Sequence, residues 1–319
     1  MTTYIIRRLL WALVILIMLT LLVFFSMRLL PGDPIIIYVG QSQGLIGMDP
    51  AALDKLRAEY GLDKPLMVQY FNWVGGIFHG DLGKSITYHE NVGKLLAKRM
   101  PITVYIGAIT FVIATVLGIL GGVLAALRRG KWVDQVVTPL SYIGITIPIF
   151  WLGILMIYVF ALKLHWLPTS GYTSPFKDFW LSTRQLIMPV VCLAITEIAM
   201  VSRQMRSSVL EVVRQDYVRT AWAKGLSERL IVLKHILKNS LIPVITLMGF
   251  AIGMIFGGSV LIESVFNIPG MGRLMVTSIF AQDYVVVQAC TLIFAVIVLV
   301  VNLIVDMSYG WLDPRIRYG

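Results

Sequence analysis

The chain has 319 residues, 58% hydrophobic and only 14% charged, whereas about a quarter of the residues in soluble domains carry charge. That composition excludes a soluble globular domain and indicates an integral membrane protein. The net charge of +10 does not indicate nucleic acid, because the basic residues gather beside apolar runs.

A membrane-crossing helix needs about 20 mainly apolar residues. Six stretches qualify, at residues 9–27, 103–127, 135–162, 185–201, 241–262 and 285–305. The expected fold is therefore all-α, with six transmembrane helices and a small helical extracytoplasmic insert after the first. Residues 1–30 form the cytoplasmic N-terminus and first span. This span is not a signal peptide: its apolar run is too long, and no small-residue cleavage pattern comes before "RLLPGDP". Arg7 and Arg8 precede it, "RRGK" (residues 128–131) follows the second span, and Arg203, Arg206, Arg214, Arg219, Lys224, Arg229, Lys234 and Lys238 lie between the fourth and fifth. Such excess marks cytoplasmic loops, which puts both termini inside.

The insert, residues 31–100, balances seven Lys/Arg against seven Asp/Glu. In "MDPAALDKLRAEYG", Asp49 can cap a helix, Pro50 suits its first turn and Gly61 its end, with Leu53, Leu56 and Tyr60 on one face. A second helix is expected from Pro65, with Leu66, Tyr70, Trp73, Val74 and Ile77 at helical spacing, and a weaker third through Val92, Leu95 and Leu96. These faces suit either a cap on the outer membrane surface or a docking platform for an external partner. Between the second and third, "GDLGKSIT" (residues 80–87) contains Gly-Lys-Ser, the tail of a phosphate-binding loop. Such a loop requires a glycine five positions earlier, and Phe78 stands there. No nucleotide site is expected.

Residues 101–310 hold the other five spans. Pro139, Pro148 and Pro189, with Gly249, Gly253, Gly257 and Gly258, offer kinks or close helix approach. Cys192 and Cys290 fall inside spans at no metal-ligand spacing, so packing is their expected role. Polar groups within the spans are few: Glu197 is expected to pair with an inner-loop arginine, and Asn302 with Asp306 at i,i+4. No ladder of charges suited to ion coupling runs across the spans.

The inner loop, residues 202–239, contains "DYVRTAWAKGLS" (residues 216–227). Val218, Ala221, Trp222, Gly225 and Leu226 fall at i, i+3, i+4, i+7 and i+8 on a helical stripe flanked by Arg219, Thr220, Lys224 and Ser227, and Tyr217 belongs to the same candidate helix. Small residues there would admit another protein's surface, with Trp222 as an anchor. An interfacial helix obeying the positive-inside rule fits the same charges.

Four stretches together carry a resemblance: "RLLPGDP" (28–34), "YGLDKPLMVQYFNWVGGIFHGDLGKSI" (60–86), "DYVRTAWAKGLS" (216–227) and "ESVFNIPGMGRL…DYVVVQA" (263–289). The chain resembles the dipeptide, oligopeptide and nickel permeases of ABC importers over nearly its full length, in particular the permease type with a large insert after its first span. The resemblance implies that residues 216–227 are a coupling helix of the "EAA" kind. Gly225 stands at the motif glycine and Pro243 at its later proline, while Arg219-Thr220-Ala221 replaces Glu-Ala-Ala and removes the carboxylate. Gln282 stands where relatives commonly carry a basic residue.

The implied machine has a second permease subunit, two cytoplasmic ATPases that bind ATP and Mg, an extracytoplasmic substrate-binding protein and surrounding lipid. This chain itself would need no cofactor, metal or catalytic residue. Glu263, Phe266, Pro269, Gly270 and Arg273 are candidates for an outer gate or binding-protein contact, or for a tight return to the sixth span. Residues 311–319 form a cytoplasmic tail. Peptides are the expected cargo, with nickel chelates or oligosaccharides as alternatives. A secondary transporter or channel would need coupling residues that are not evident, and His79, His89, His165 and His235 are too scattered for an enzyme site.

Overall fold

The computed structural model describes residues 2–29, 32–42 and 50–312. The elements are α1 (Thr2–Arg28), α2 (Pro34–Ser42), α3 (Pro50–Glu59), α4 (Leu66–Phe78), α5 (Val92–Leu127), α6 (Trp132–Thr146) and α7 (Ile149–Met156), the last prolonged by a π-helix to Lys163. There follow α8 (Phe179–Val212), α9 (Asp216–Ala223), α10 (Glu228–Leu230), a π-helical stretch Ile231–Leu237, α11 (Lys238–Val265), α12 (Met271–Phe280) and α13 (Tyr284–Leu312). Five helices among the described residues are long and apolar enough to cross a membrane. The sixth expected span is a bent pair.

That bend breaks the span expected over 135–162 at Pro148, one of the prolines that offered a kink. The chain turns by 103° between α6 and α7. Ile147 has φ −70° and ψ 124°, and Pro148 has ψ 125°. Proline pushes its predecessor out of the helical region and has no N–H to continue the ladder. Pro101, Pro139, Pro189 and Pro243 nevertheless lie inside helices, so tertiary packing selects which proline breaks one.

Two compact units share the chain. Among the described residues one takes those up to Thr103 with Pro269–Leu299; the other takes Val104–Ile268 and the described residues from Val300. In the first, Phe24 of α1 is fully buried against Tyr70 and Trp73 of α4. The Arg28 guanidinium lies 3.7 Å over the Phe24 ring and donates to Gln69 Oε1. The expected Leu53–Leu56–Tyr60 face packs on Ile35, Val39 and Ile86. The cap expected of Asp49 lies outside the described residues. Helix α2 was not anticipated, although "GDP" encodes it: the Asp33 carboxylate accepts from Ile35 N–H at 2.8 Å and Pro34 takes the first position. The separate third insert helix does not form, because Val92, Leu95 and Leu96 belong to the first turns of the 36-residue α5. They pack instead on Met271 and Leu274 of α12 and Val286, Ala289 and Cys290 of α13.

In the second unit α8 is central, with more than half of its apolar length buried. Glycines let neighbours approach it. A Cβ on Gly122 of α5 would lie 2.5 Å from Ser202 O, and one on Gly144 of α6 would lie 3.0 Å from the Ala199 methyl. Small residues serve this purpose between membrane helices. Gly249 does the same for Val305 of α13, whereas a side chain at Gly257 would enter open space. Cys192 and Cys290 are free thiols in the interior, as their place inside spans suggested. Glu197 is buried on α8, and Arg206, one of the inner-loop arginines, pairs with Asp134 rather than with it. The side chain of Asp306, needed for the Asn302 pair, lies outside the described part.

Candidate functional site

The inner loop expected over 202–239 is mostly helix. Its first residues are the end of α8, and from Glu228 the chain is already one 38-residue helical rod reaching Val265. Pro243, expected as the loop end, sits inside α11. What remains between the two long helices is α9 and its flanking turns.

Helix α9 has eight residues, too few to be stable alone in water. Its support is tertiary. Val218 is fully buried and Ala221 nearly so, in a cluster with Ala126 of α5, Val201, Met205 and Val209 of α8, Ile231 and Ile236 of the π-helical stretch, and Val244 of α11. Leu226 packs on the same cluster. At the other edge the Asn239 amide donates to the Tyr217 hydroxyl at 3.0 Å. Asp216 in the first turn complements the helix dipole, and its backbone carbonyl accepts the Thr220 hydroxyl.

The C-terminal end explains Gly225. Leu226 N–H donates to Ala221 O, and Gly225 N–H to Trp222 O at 2.9 Å. Gly225 has φ +72°. This pair of bonds, a left-handed residue and an apolar residue after it make a Schellman stop. The expected stripe is therefore split. Val218, Ala221 and Leu226 face the chain's own core, because the helix needs them for anchorage. Gly225 lies past the helix, where an added Cβ would meet nothing within 4 Å.

The outward half comprises Tyr217, Arg219, Trp222, Lys224 and Gly225, all exposed. Trp222 is 47% exposed and Tyr217 43%, so two large rings stand among two cations on a short, rigidly seated helix. A cavity of about 370 Å³ lined by Arg129, Ser207, Leu210, Glu211, Arg214 and Gln215 opens where Gln215 leads into α9.

A second feature, which sequence reasoning missed, braces this region. Arg206 Nε and Nη2 donate to the two Asp134 oxygens at 2.6 and 2.9 Å. Asp134 also accepts Gly130 N–H at 2.9 Å and the Thr138 hydroxyl at 3.0 Å. The α5–α6 turn is thereby fixed to α8, just before the helix runs on to α9. Asp134 alone among the basic residues of "RRGKWVD" was the available signal.

The candidate gate residues are engaged in packing. Glu263 and Phe266 are each 1% exposed; Phe266 lies over Gly153 of α7, and its carbonyl accepts Gly171 N–H. Pro269 O accepts from Arg99, and the Thr103 hydroxyl accepts from Met271 N–H at the start of α12. Gly270 is the buried residue that opens α12, and Arg273 is half-buried one turn on. Helix α12 itself was not foreseen in that turn-rich stretch.

The "GDLGKSIT" segment forms a hairpin closed by the Lys84–Asn91 bridge. Lys84 Nζ meets Glu59 Oε1 at 3.0 Å, and that hydrogen bond holds its pKa above the ordinary lysine value. No helix begins at Ser85, so the ring of N–H groups that cradles a phosphate does not form.

Among the described residues the chain is an all-helical bundle in which a short helix is seated between two long apolar ones, the architecture of a multi-pass membrane protein. The fold is similar to that of an inward-facing methionine ABC transporter, MetNI, with TM-score 0.54 and 17% identity, covering 69% of this chain and 96% of that one. Residues 118–318 match the family described as the binding-protein-dependent transport system inner membrane component, and residues 1–107 match its N-terminal counterpart. The chain belongs to that family, and it is a multi-pass inner-membrane protein. It is similar to a putative peptide permease of Brucella suis biovar 1, 42% identical over 99% of both chains, and to the oligopeptide transport system permease AppB of Bacillus subtilis, 40% identical over the full length of both.

Proposed function

We propose that the chain is one permease subunit of an ABC importer for peptides, and that α9 is where it receives mechanical work from a cytoplasmic ATPase. The observation that carries this is the two-sided character of α9. Its inner half is locked among α5, α8 and the start of α11, so a push on Trp222 is delivered to both long helices as to a rigid body. A flexible basic loop would absorb the same push. Coupling requires that the partner contact one pore state better than the other, and an anchored helix makes that difference transmissible.

In this reading ATP and Mg are bound by two partner ATPases, not by this chain. A second, homologous permease completes the pathway, a substrate-binding protein delivers cargo from outside, and α9 and both termini are cytoplasmic. The names of the relatives support peptides as cargo. The test is expression with its partners in vesicles: the ATPases should copurify, and labelled di- and oligopeptides should be taken up on ATP addition. Uptake of nickel chelates or oligosaccharides without peptides would overturn the cargo, and ATP-independent uptake would overturn the machine.

A further inference from the structure

Asp283 is fully buried immediately before α13, and its carboxylate faces two ways. Oδ1 accepts from Val286 N–H at 3.4 Å, as a cap does in a first helical turn. Oδ2 reaches back almost two hundred residues in sequence to accept the Ser85 hydroxyl at 2.5 Å and Thr87 N–H at 3.0 Å. Ser85 is also fully buried, and its oxygen accepts Tyr88 N–H at 2.9 Å. Beside this joint Tyr88 Oη lies 3.3 Å from Thr277 Oγ1 of α12. Gly83 carries no side chain where a Cβ would come within 2.8 Å of Val285. The other side of the hairpin holds the insert: Lys84 pairs with Glu59 just as α3 ends, His89 meets the Tyr38 hydroxyl of α2, and Ile86 packs with Ile35 and Val39.

A hairpin bound on one side to α2 and α3 and on the other to the corner between α12 and α13 is a contiguous physical link. We propose that Asp283 is a positioning residue for transport: through it the hairpin sets the α12–α13 corner, so a load placed on the insert by the external binding protein reaches α13. This rests on the importer reading above. A buried carboxylate that satisfies two donors of another segment is a joint with one good geometry, because each donor is orphaned when it leaves.

The test uses the assembled complex in nanodiscs with its binding protein. Asp283→Ala is expected to keep basal ATPase activity while stimulation by loaded binding protein falls at least about ten-fold. Ser85→Ala, the milder change, should lower it about three-fold or more. Exchanging the partners, Ser85→Asp with Asp283→Ser, should restore much of the loss. Faster amide exchange at residues 84–88 and 284–287 in Asp283→Ala is the accompanying signature. Full stimulation of both single variants, or a fall in stimulation matched by an equal fall in basal activity and assembly, overturns the proposal. Unchanged exchange at both segments would likewise remove the joint. A wild-type complex that no binding protein stimulates would instead remove the importer reading itself.

Discussion

At the scale of single residues, Gly225 separates what the chain needs from what a partner needs. A side chain there meets nothing of this chain, so the intrinsic cost of substitution is the left-handed backbone, about 1–2 kcal/mol for most residues and less for Asn. Gly225→Asn is expected to leave thermal unfolding in detergent nearly unchanged, and Gly225→Ala to shift it slightly. Gly225→Trp should resemble Gly225→Ala in stability yet weaken ATPase docking about 5- to 150-fold, the range that overpacking by about 1–3 kcal/mol implies. Equal uptake by the Trp and Ala variants at equal assembly would show that no surface closes over this glycine. Lys84 makes the complementary case: paired with Glu59 in a hairpin, it should be replaceable by Ala with no change in nucleotide binding by the complex. A loss of binding in correctly assembled material would restore the phosphate-loop reading.

At the scale of elements, the Asp134–Arg206 brace and the α6–α7 bend invite signed tests. Asp134→Asn strips a bidentate acceptor from Arg206, and hydrogen bonds to charged groups are worth about 1.5–3 kcal/mol. The variant should unfold at a lower temperature. Replacing both partners, Asp134→Leu with Arg206→Met, should cost less than the single change, since an apolar pair leaves no buried charge unpaired. A double variant less stable than the single would refute this account. For the bend, spin labels at Trp132 and Tyr158, both exposed, should lie about 24 Å apart, against about 39 Å for a straight helix at 1.5 Å per residue. Pro148→Ala is expected to keep the shorter distance. Gly144 and Gly153 pin the two arms on Ala199 and Phe266, and packing outweighs one recovered backbone bond of about 1 kcal/mol.

At the scale of the whole molecule, the placing of charge predicts topology. The side chains of Asp54 and Arg219 are 72% and 73% exposed, so cysteines at these positions can be reached by an impermeant thiol reagent. Asp54→Cys should react in intact cells, and Arg219→Cys only after the membrane is opened. The reverse pattern would invert the orientation. Ser85 is unsuited to such labelling despite its place in a polar loop, because it is buried on Asp283.

Apolar run lengths were enough to define the membrane class and to locate five long spanning helices, because a bilayer demands about 20 apolar residues per crossing whatever the packing. Local chemistry also declared the Leu53–Leu56–Tyr60 face and the stop at Gly61. Where one segment's fate depends on another, the sequence was silent or misleading. Helical spacing grouped Val218, Ala221, Trp222, Gly225 and Leu226 into one stripe, but periodicity carries no sign: it does not say which half meets the chain's own core. Only the neighbours from α5, α8 and α11 assigned Val218 and Ala221 inward and left Trp222 outside. The same holds for five prolines of which one breaks a helix, and for Ser85 and Asp283, whose bond spans a separation over which no local pattern extends. Tertiary structure decided these because each rests on the free energy of a contact between distant residues, and that term is absent until the chain has folded.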